Sequence, residues 1–355
     1  MLAHLGLPGL LAVFAIAAAV VWVAGIRLSQ TVDVLDDRFH LGQALGGLIL
    51  LAITTNLPEI AITFNAARHH DLGIAIGNIL GGIAVQTVVL VLLDIWGLGK
   101  SDALTYRAAS LELVLEGVLV GAVLVVVVMG SQFPPSVHFA RMTPASIAIT
   151  LIWVAGLALL GKARKGLPWH EQGQAPNNQQ TEQGAKAKQQ KQQENKKSTG
   201  AALAVFSLAA VATLAAGMVL EQAGEQIATQ IHMTGVLFGA TVLAAATSLP
   251  ELSTGLASVK AGDYQLAFSD IFGGNAFLPV LFLMADLVSG QAVLPQAQKS
   301  DLYLTGLGVL LTAIYLYGLI FRPKRQIARM GLDSLAVLLV YALAMVGLVA
   351  LSRGH

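Results

Sequence analysis

Ten apolar runs follow one another along this chain of 355 residues, near 8–27, 41–67, 72–98, 108–130, 143–161, 201–221, 233–259, 264–289, 302–321 and 332–352. A soluble chain of this size must show polar surface, and an ordinary domain carries roughly 25% charged residues. Here only 12% are charged and 55% are hydrophobic, so the solvent for most of the chain is lipid. Helices satisfy their own backbone in lipid, and an all-α membrane protein of ten transmembrane helices is predicted. The N-terminal run, without a basic flank before it, suits a first spanning helix better than a cleaved signal. The chain has no cysteine, which excludes disulfides, thiolate metal ligands and thiol nucleophiles.

Residues 162–200 break the pattern. They are rich in Gln and Lys and nearly lack apolar residues, which predicts a disordered linker. It divides the chain into a first five-helix repeat, 1–161, and a second, 201–355. Placing the linker in the cytoplasm puts 17 of the 21 basic residues inside, and leaves Arg68, Arg141, Lys299 and Arg353 outside. That asymmetry follows the positive-inside rule and predicts that both termini face outward.

A shift of 192 residues aligns 40–94 with 232–286 without a gap, at about 17 identities in 55 positions. His40 meets His232, Leu57-Pro58-Glu59 meets Leu249-Pro250-Glu251, Asp71 meets Asp263, Gly81-Gly82 meets Gly273-Gly274, and Asp94 meets Asp286. Shared apolar composition does not keep rare Pro, Glu and Asp in step. Five helices per half is an odd number, so the halves must insert with opposite orientations. Inverted repeats characterise secondary transporters, whose substrate site lies near the midplane between the repeats.

Each repeat carries T-x-L-P-E inside an apolar run. Pro58 and Pro250 lack an amide hydrogen and free a carbonyl near Thr54 and Ala246, and a bound cation is one partner for it. Glu59 and Glu251 follow directly. Intramembrane carboxylates are costly and mark function, and two brought together by pseudo-symmetry suit a hard cation. Thr55, Asn56, Thr247 and Ser248 lie within a turn and can add oxygens, although such residues also join helices by hydrogen bonds. The glycine pairs allow either local unwinding or close helix packing. Before them stand Asn78 and Asp270, the latter a third intramembrane acid. Three close carboxylates do not all ionise at neutral pH, because like charges oppose one another's ionisation and titrate together. This gives protons a route to compete with a metal. Asp94 and Asp286 read as interfacial, Glu112 and Glu116 as an exposed helix end or a cation vestibule, and His40, His69, His70 and His232 as loop histidines.

The duplicated T-[NS]-L-P-E with a glycine pair about 22 residues on resembles the α-repeats of the calcium/cation antiporter superfamily, which includes sodium/calcium and calcium/proton exchangers. The resemblance implies alternating access with calcium moved against sodium or protons. It implies Glu59 and Glu251 as the main calcium ligands, helped by Thr55, Asn56, Thr247 and Ser248, with Asp270 and Asn78 tuning affinity or carrying the counter-ion. The superfamily's second motif commonly reads G-S-N. Here Gly82 and Gly274 take the Ser positions, Asn275 alone keeps the Asn, and Gln86 matches Leu278, which weakens a sodium-coupled reading. The expected partners are inorganic cations and the bilayer, with no nucleic acid and no cofactor beyond the transported ions. The expected location is a bacterial inner membrane. A monovalent cation exchanger is the alternative; an intramembrane enzyme or a scaffold fits less well, because the acids are duplicated and no H-E-x-x-H occurs.

Overall fold

The computed structural model describes residues 4–39, 47–98, 102–163, 199–233 and 235–353, together with 166 and 168. His40 and nearly all of the 162–200 stretch lie outside the described residues. The described chain is almost entirely helical: α1 (Leu7–Phe39), α2 (Gly47–Thr55), α3 (Leu57–His69), α4 (Leu72–Gly97), α5 (Leu104–Ala108), α6 (Leu111–Ser131), α7 (Pro144–Ala163), α8 (Thr199–Gln230), α9 (Gly235–Phe238), α10 (Ala244–Thr247), α11 (Leu249–Ala261), α12 (Tyr264–Phe277), α13 (Leu281–Ser289), α14 (Lys299–Phe321) and α15 (Leu332–Arg353). A π-helical turn, Gly239–Leu243, joins α9 to α10. Two-residue strands, Gln326–Ile327 and Met330–Gly331, pair antiparallel before α15. Ala328 and Arg329 at their turn both have positive φ, as a type I′ hairpin requires.

Among the described residues, eight helices are long and apolar enough to cross a membrane. The expected segments 41–67 and 233–259 are not among them, because each is broken. The chain leaves helical geometry at Asn56 (φ −88°, ψ 14°) and Ser248 (φ −81°, ψ 4°). The proline two residues on sits at the start of the next helix, where its missing N–H is no loss.

The glycines and polar residues within 72–98 suggest a broken or tilted helix, and the structure shows no break there. Helix α4 runs uninterrupted through Gly81 and Gly82. These glycines serve contact: a Cβ on Gly81 would collide with the Ala240 backbone in the π turn. The interruption falls instead in the matching segment of the second half. There Leu278–Val280 forms a 3₁₀ turn, because Pro279 cannot donate a helical hydrogen bond.

Helix α4 is central, with Ile76, Ile79, Leu80, Ile83, Leu90 and Leu93 all buried in the main core beside α6, α12, α14 and α15. Helices α7, α8 and α15 lie outside and expose large apolar side chains such as Leu151, Leu208, Val211, Leu343 and Val346, the surface a lipid-facing helix presents. Helices α1 and α8 pack along each other and share a second, smaller core with α3, the start of α4 and the α9–α10 segment, built on Leu10, Val21, Ile62, Ile74, Leu220 and Phe238. Two glycines set their approach to the broken helices. A Cβ on Gly25 of α1 would lie 2.7 Å from Pro250 Cβ, and one on Gly217 of α8 would lie 3.0 Å from the Pro58 carbonyl oxygen and 2.9 Å from Ala61 Cβ. These glycines are themselves 192 residues apart, so the sequence offset extends to the first helix of each half.

Gly121 offers a control, since nothing lies within 4 Å of a Cβ placed there. Gly217→Ala is expected to destabilise the detergent-solubilised protein by about 1–3 kcal/mol through overpacking. Gly121→Ala is expected to be neutral or stabilising by up to ~1 kcal/mol. Thermal unfolding followed by circular dichroism reads both.

Candidate cation site

The two bends place Glu59 and Glu251 in the first turns of α3 and α11. There the unpaired amides and the positive helix end favour a carboxylate. Both side chains are fully buried. The structure brings them into one cluster with residues from both halves. Thr247, from the second half, stands beside Glu59. Thr55, from the first, stands beside Glu251 and Asp270. Glu59 and Asp270 are close enough to Glu251 to act on it electrostatically. Gln86 of α4 reaches between the halves: its Nε2 donates to Asn56 Oδ1 at 3.1 Å and lies 3.5 Å from Glu251 Oε1.

The hydroxyl hydrogens point away from this centre. Thr55 Oγ1 donates to Leu51 O at 3.1 Å, Thr247 Oγ1 to Ala244 O at 3.2 Å and Ser248 Oγ to Ala244 O at 2.7 Å. Asn56 Nδ2 donates to Ala52 O at 2.7 Å. A hydroxyl that spends its hydrogen on the turn behind it keeps its lone pairs for another partner. Both Glu59 oxygens, Glu251 Oε2, Asp270 Oδ1, Gln86 Oε1 and Asn275 Oδ1 are buried with no hydrogen-bond partner among the described residues. Buried oxygens are ordinarily satisfied, and a converging set of unsatisfied ones is what a hard cation needs. Gly274 makes room for the set, since a Cβ there would meet Asn56 Nδ2 at 2.9 Å and Gln86 Oε1 at 3.3 Å.

Asn78 is buried, and both its side-chain polar atoms lack a partner; no described hydrogen bond links it to the glutamates. Its counterpart Asp270 accepts from Thr254 Oγ1 at 2.5 Å. Gln86 and Thr254 join the cluster beyond the residues picked out by the sequence, while Asn275 Nδ2 donates to Thr87 Oγ1 at 3.0 Å. Gln86 carried a signal, being a polar side chain deep in an apolar run. Thr254 follows Glu251 at helical spacing but has Ile62 as its repeat partner, so the duplication hid it.

Asp94 and Asp286 lie near helix ends, as the sequence suggests, but both are fully buried within the protein. Each ties a loop: Asp94 accepts from Leu104 N, and Asp286 from Thr143 N and Val293 N. Glu116 is not at an exposed helix end; it is 4% exposed, and Ser269 Oγ lies 2.8 and 2.7 Å from its two oxygens. Its sequence neighbour Glu112 is half-buried. His69, His70 and His232 are exposed near helix ends, as loop histidines should be.

A bundle of apolar helices around a buried oxygen cluster, drawn from two duplicated and broken segments, is the form of a membrane ion exchanger. The chain belongs to the family described as sodium/calcium exchanger protein, whose model matches residues 9–161 and 199–350. It is similar to the inner membrane protein YrbG of Escherichia coli (strain K12), at 26% identity over 280 residues, 78% of each chain. In fold it is similar to the H+/Ca2+ exchanger CAX, with a TM-score of 0.66 over 97% of this chain and 87% of that one at 12% identity. It is also similar in fold to the sodium-calcium exchanger NCX_Mj, with a TM-score of 0.59 over 96% and 98% of the two chains at 15% identity. The chain is thus an integral membrane protein of a cation exchanger family, a class of transporters and not of enzymes.

Replacing Thr254 with Val removes the donor to Asp270 Oδ2. The expected cost is about 1–3 kcal/mol of stability, the penalty for stranding a buried acceptor. Thermal unfolding of the variant in detergent measures it.

Proposed function

We propose that this protein is a secondary antiporter that exchanges Ca2+ for Na+ or H+ by alternating access. In this reading Glu59 and Glu251 bind the cation near the bilayer midplane. Thr55, Asn56, Thr247 and Ser248 complete the shell, and Asp270 and Asn78 tune affinity or carry the counter-ion. The observation that carries the proposal is that both oxygens of Glu59 and Oε2 of Glu251 are buried with no hydrogen-bond partner among the described residues, each acid flanked by a threonine from the opposite half. Two carboxylates and several neutral oxygens match the charge and the hardness of calcium.

Ten spanning segments in two inverted five-helix repeats, 1–161 and 201–355, accommodate the eight long helices and count each broken pair as one span. The basic-residue asymmetry supports a cytoplasmic linker at 162–200 and outward termini. The extended packing of α1 along α8 supports movement of these two helices as a pair. Gly25 and Gly217 would then be the points where the moving pair slides past Pro250 and Pro58. A relative described as an inner membrane protein supports a bacterial inner-membrane location. The missing serines at Gly82 and Gly274 and the presence of Gln86 favour proton over sodium as counter-ion.

The protein reconstituted in vesicles is expected to take up ⁴⁵Ca2+ when a proton or sodium gradient is imposed, and Glu59→Gln or Glu251→Gln is expected to abolish that uptake while the protein still extracts as a monodisperse species. Calcium that stays put under both gradients refutes calcium antiport. Sodium movement driven by a proton gradient in the same vesicles would establish the monovalent alternative.

A further inference from the structure

Asp94 and Asp286 occupy matching positions of the repeat, and each lies against the head of the last helix of the opposite half. Asp286 is fully satisfied there. Besides its two amides it accepts from Thr143 Oγ1 at 2.9 Å and Ser146 Oγ at 2.7 Å, both at the start of α7. Asp94 receives two amides as well, Leu104 N at 2.9 Å and Gly331 N at 2.6 Å. At the start of α15 it meets the Ser334 hydroxyl and, beyond it, a second carboxylate, Asp333.

Asp333 is 6% exposed, and neither of its oxygens has a hydrogen-bond partner among the described residues. The Thr105 hydroxyl lies beside it, 1% exposed and equally without a partner. Ser334 lies beside Asp94, with its Oγ 3.3 Å from Tyr315 Oη. One oxygen of each carboxylate faces Gly331, beside Ala103 Cβ. A Cβ on Gly331 would collide with Asp333 Oδ1 and lie 3.3 Å from Asp94 Oδ2. A Cβ on Gly318 would collide with Asp333 Oδ2. Glycine at both positions leaves the space to the oxygens.

No described basic side chain neutralises the pair. Arg107 is engaged with Tyr264 Oη at 3.1 Å and Asp102 at 3.7 Å, and Arg322 with Tyr106 O at 3.2 Å. Two buried like charges with no counter-charge are costly. The oxygens of Asp94, Asp333, Thr105 and Ser334 suit a hard cation, which takes six to eight oxygen ligands and is neutral against two carboxylates when divalent. Asp94 follows Gln86 by eight residues of continuous helix, about 12 Å, so this cluster is separate from the central one.

We infer that Asp94, Asp333, Thr105 and Ser334 form a second cation site, which holds a calcium-class divalent ion in place and fastens α4, α5 and the hairpin to α15. The inference does not depend on the transport role of Glu59 and Glu251. The test is equilibrium ⁴⁵Ca2+ binding to the full-length protein in detergent. Glu59→Gln/Glu251→Gln is expected to retain one bound calcium per chain and a calcium-dependent rise in melting temperature. Adding Asp333→Asn is expected to remove both, and Asp333→Asn alone is expected to lower the wild-type stoichiometry by one. If the doubly substituted protein binds no calcium, or if Asp333→Asn changes neither number, the site is wrong; a proton shared by the two acids would give the first result. Should Asp333→Asn not fold, Thr105→Val and Ser334→Ala carry the test. Each is expected to weaken the residual binding about tenfold, and unchanged affinity in both overturns the proposal.

Discussion

A carboxylate surrounded by hydrocarbon must be given a partner, and the architecture of this protein is arranged around that requirement. Glu59 and Glu251 meet it in part through position. A bend and a proline end one helix and begin another within the apolar interior, so that each acid lies in a first helical turn, where backbone amides are unpaired. The rest of the bundle serves these two bends. Gly25 and Gly217 let α1 and α8 lie against the prolines, and Gly81 lets the unbroken α4 lie against the π turn leading to the second bend. Helix α4 then carries Gln86 into the gap between the halves. The oxygens left without donors converge where both halves contribute.

The halves are duplicated but not equivalent, and the differences fall at polar positions. Where the first half has Asn78 and Ile62, the second has Asp270 and Thr254, a buried acid with its own hydroxyl donor. Where the first has Gln86, the second has Leu278, at the 3₁₀ turn that α4 lacks. Such substitutions leave the shared frame intact, because backbone breaks and small-residue contacts fix it. They make the centre acidic on one side and amide-lined on the other. Asp94 and Asp286 show the same divergence away from the centre, one facing another acid and the other a pair of hydroxyls.

Much of this was legible in the residues. The apolar runs announced a helical membrane protein, and Pro58 and Pro250 announced the two breaks, because a proline has no amide to continue a helix. The crossing of Thr55 to Glu251 and of Thr247 to Glu59 was not legible, since both are contacts between segments almost two hundred residues apart. The burial of Asp94, Asp286 and Glu116 was not legible either. Their positions near segment ends suggested water, but loops and neighbouring helices fold over them and supply donors.

The amino-acid sequence by itself determined the solvent, the helical class, the family and the identity of the two central acids. Each of these rests on local chemistry or on a repeat that can be read without coordinates. Only the tertiary structure decided which oxygens face one another, which glycines are contact points and which acids are satisfied. Those facts depend on distances between helices remote in the chain, and no local pattern encodes such distances.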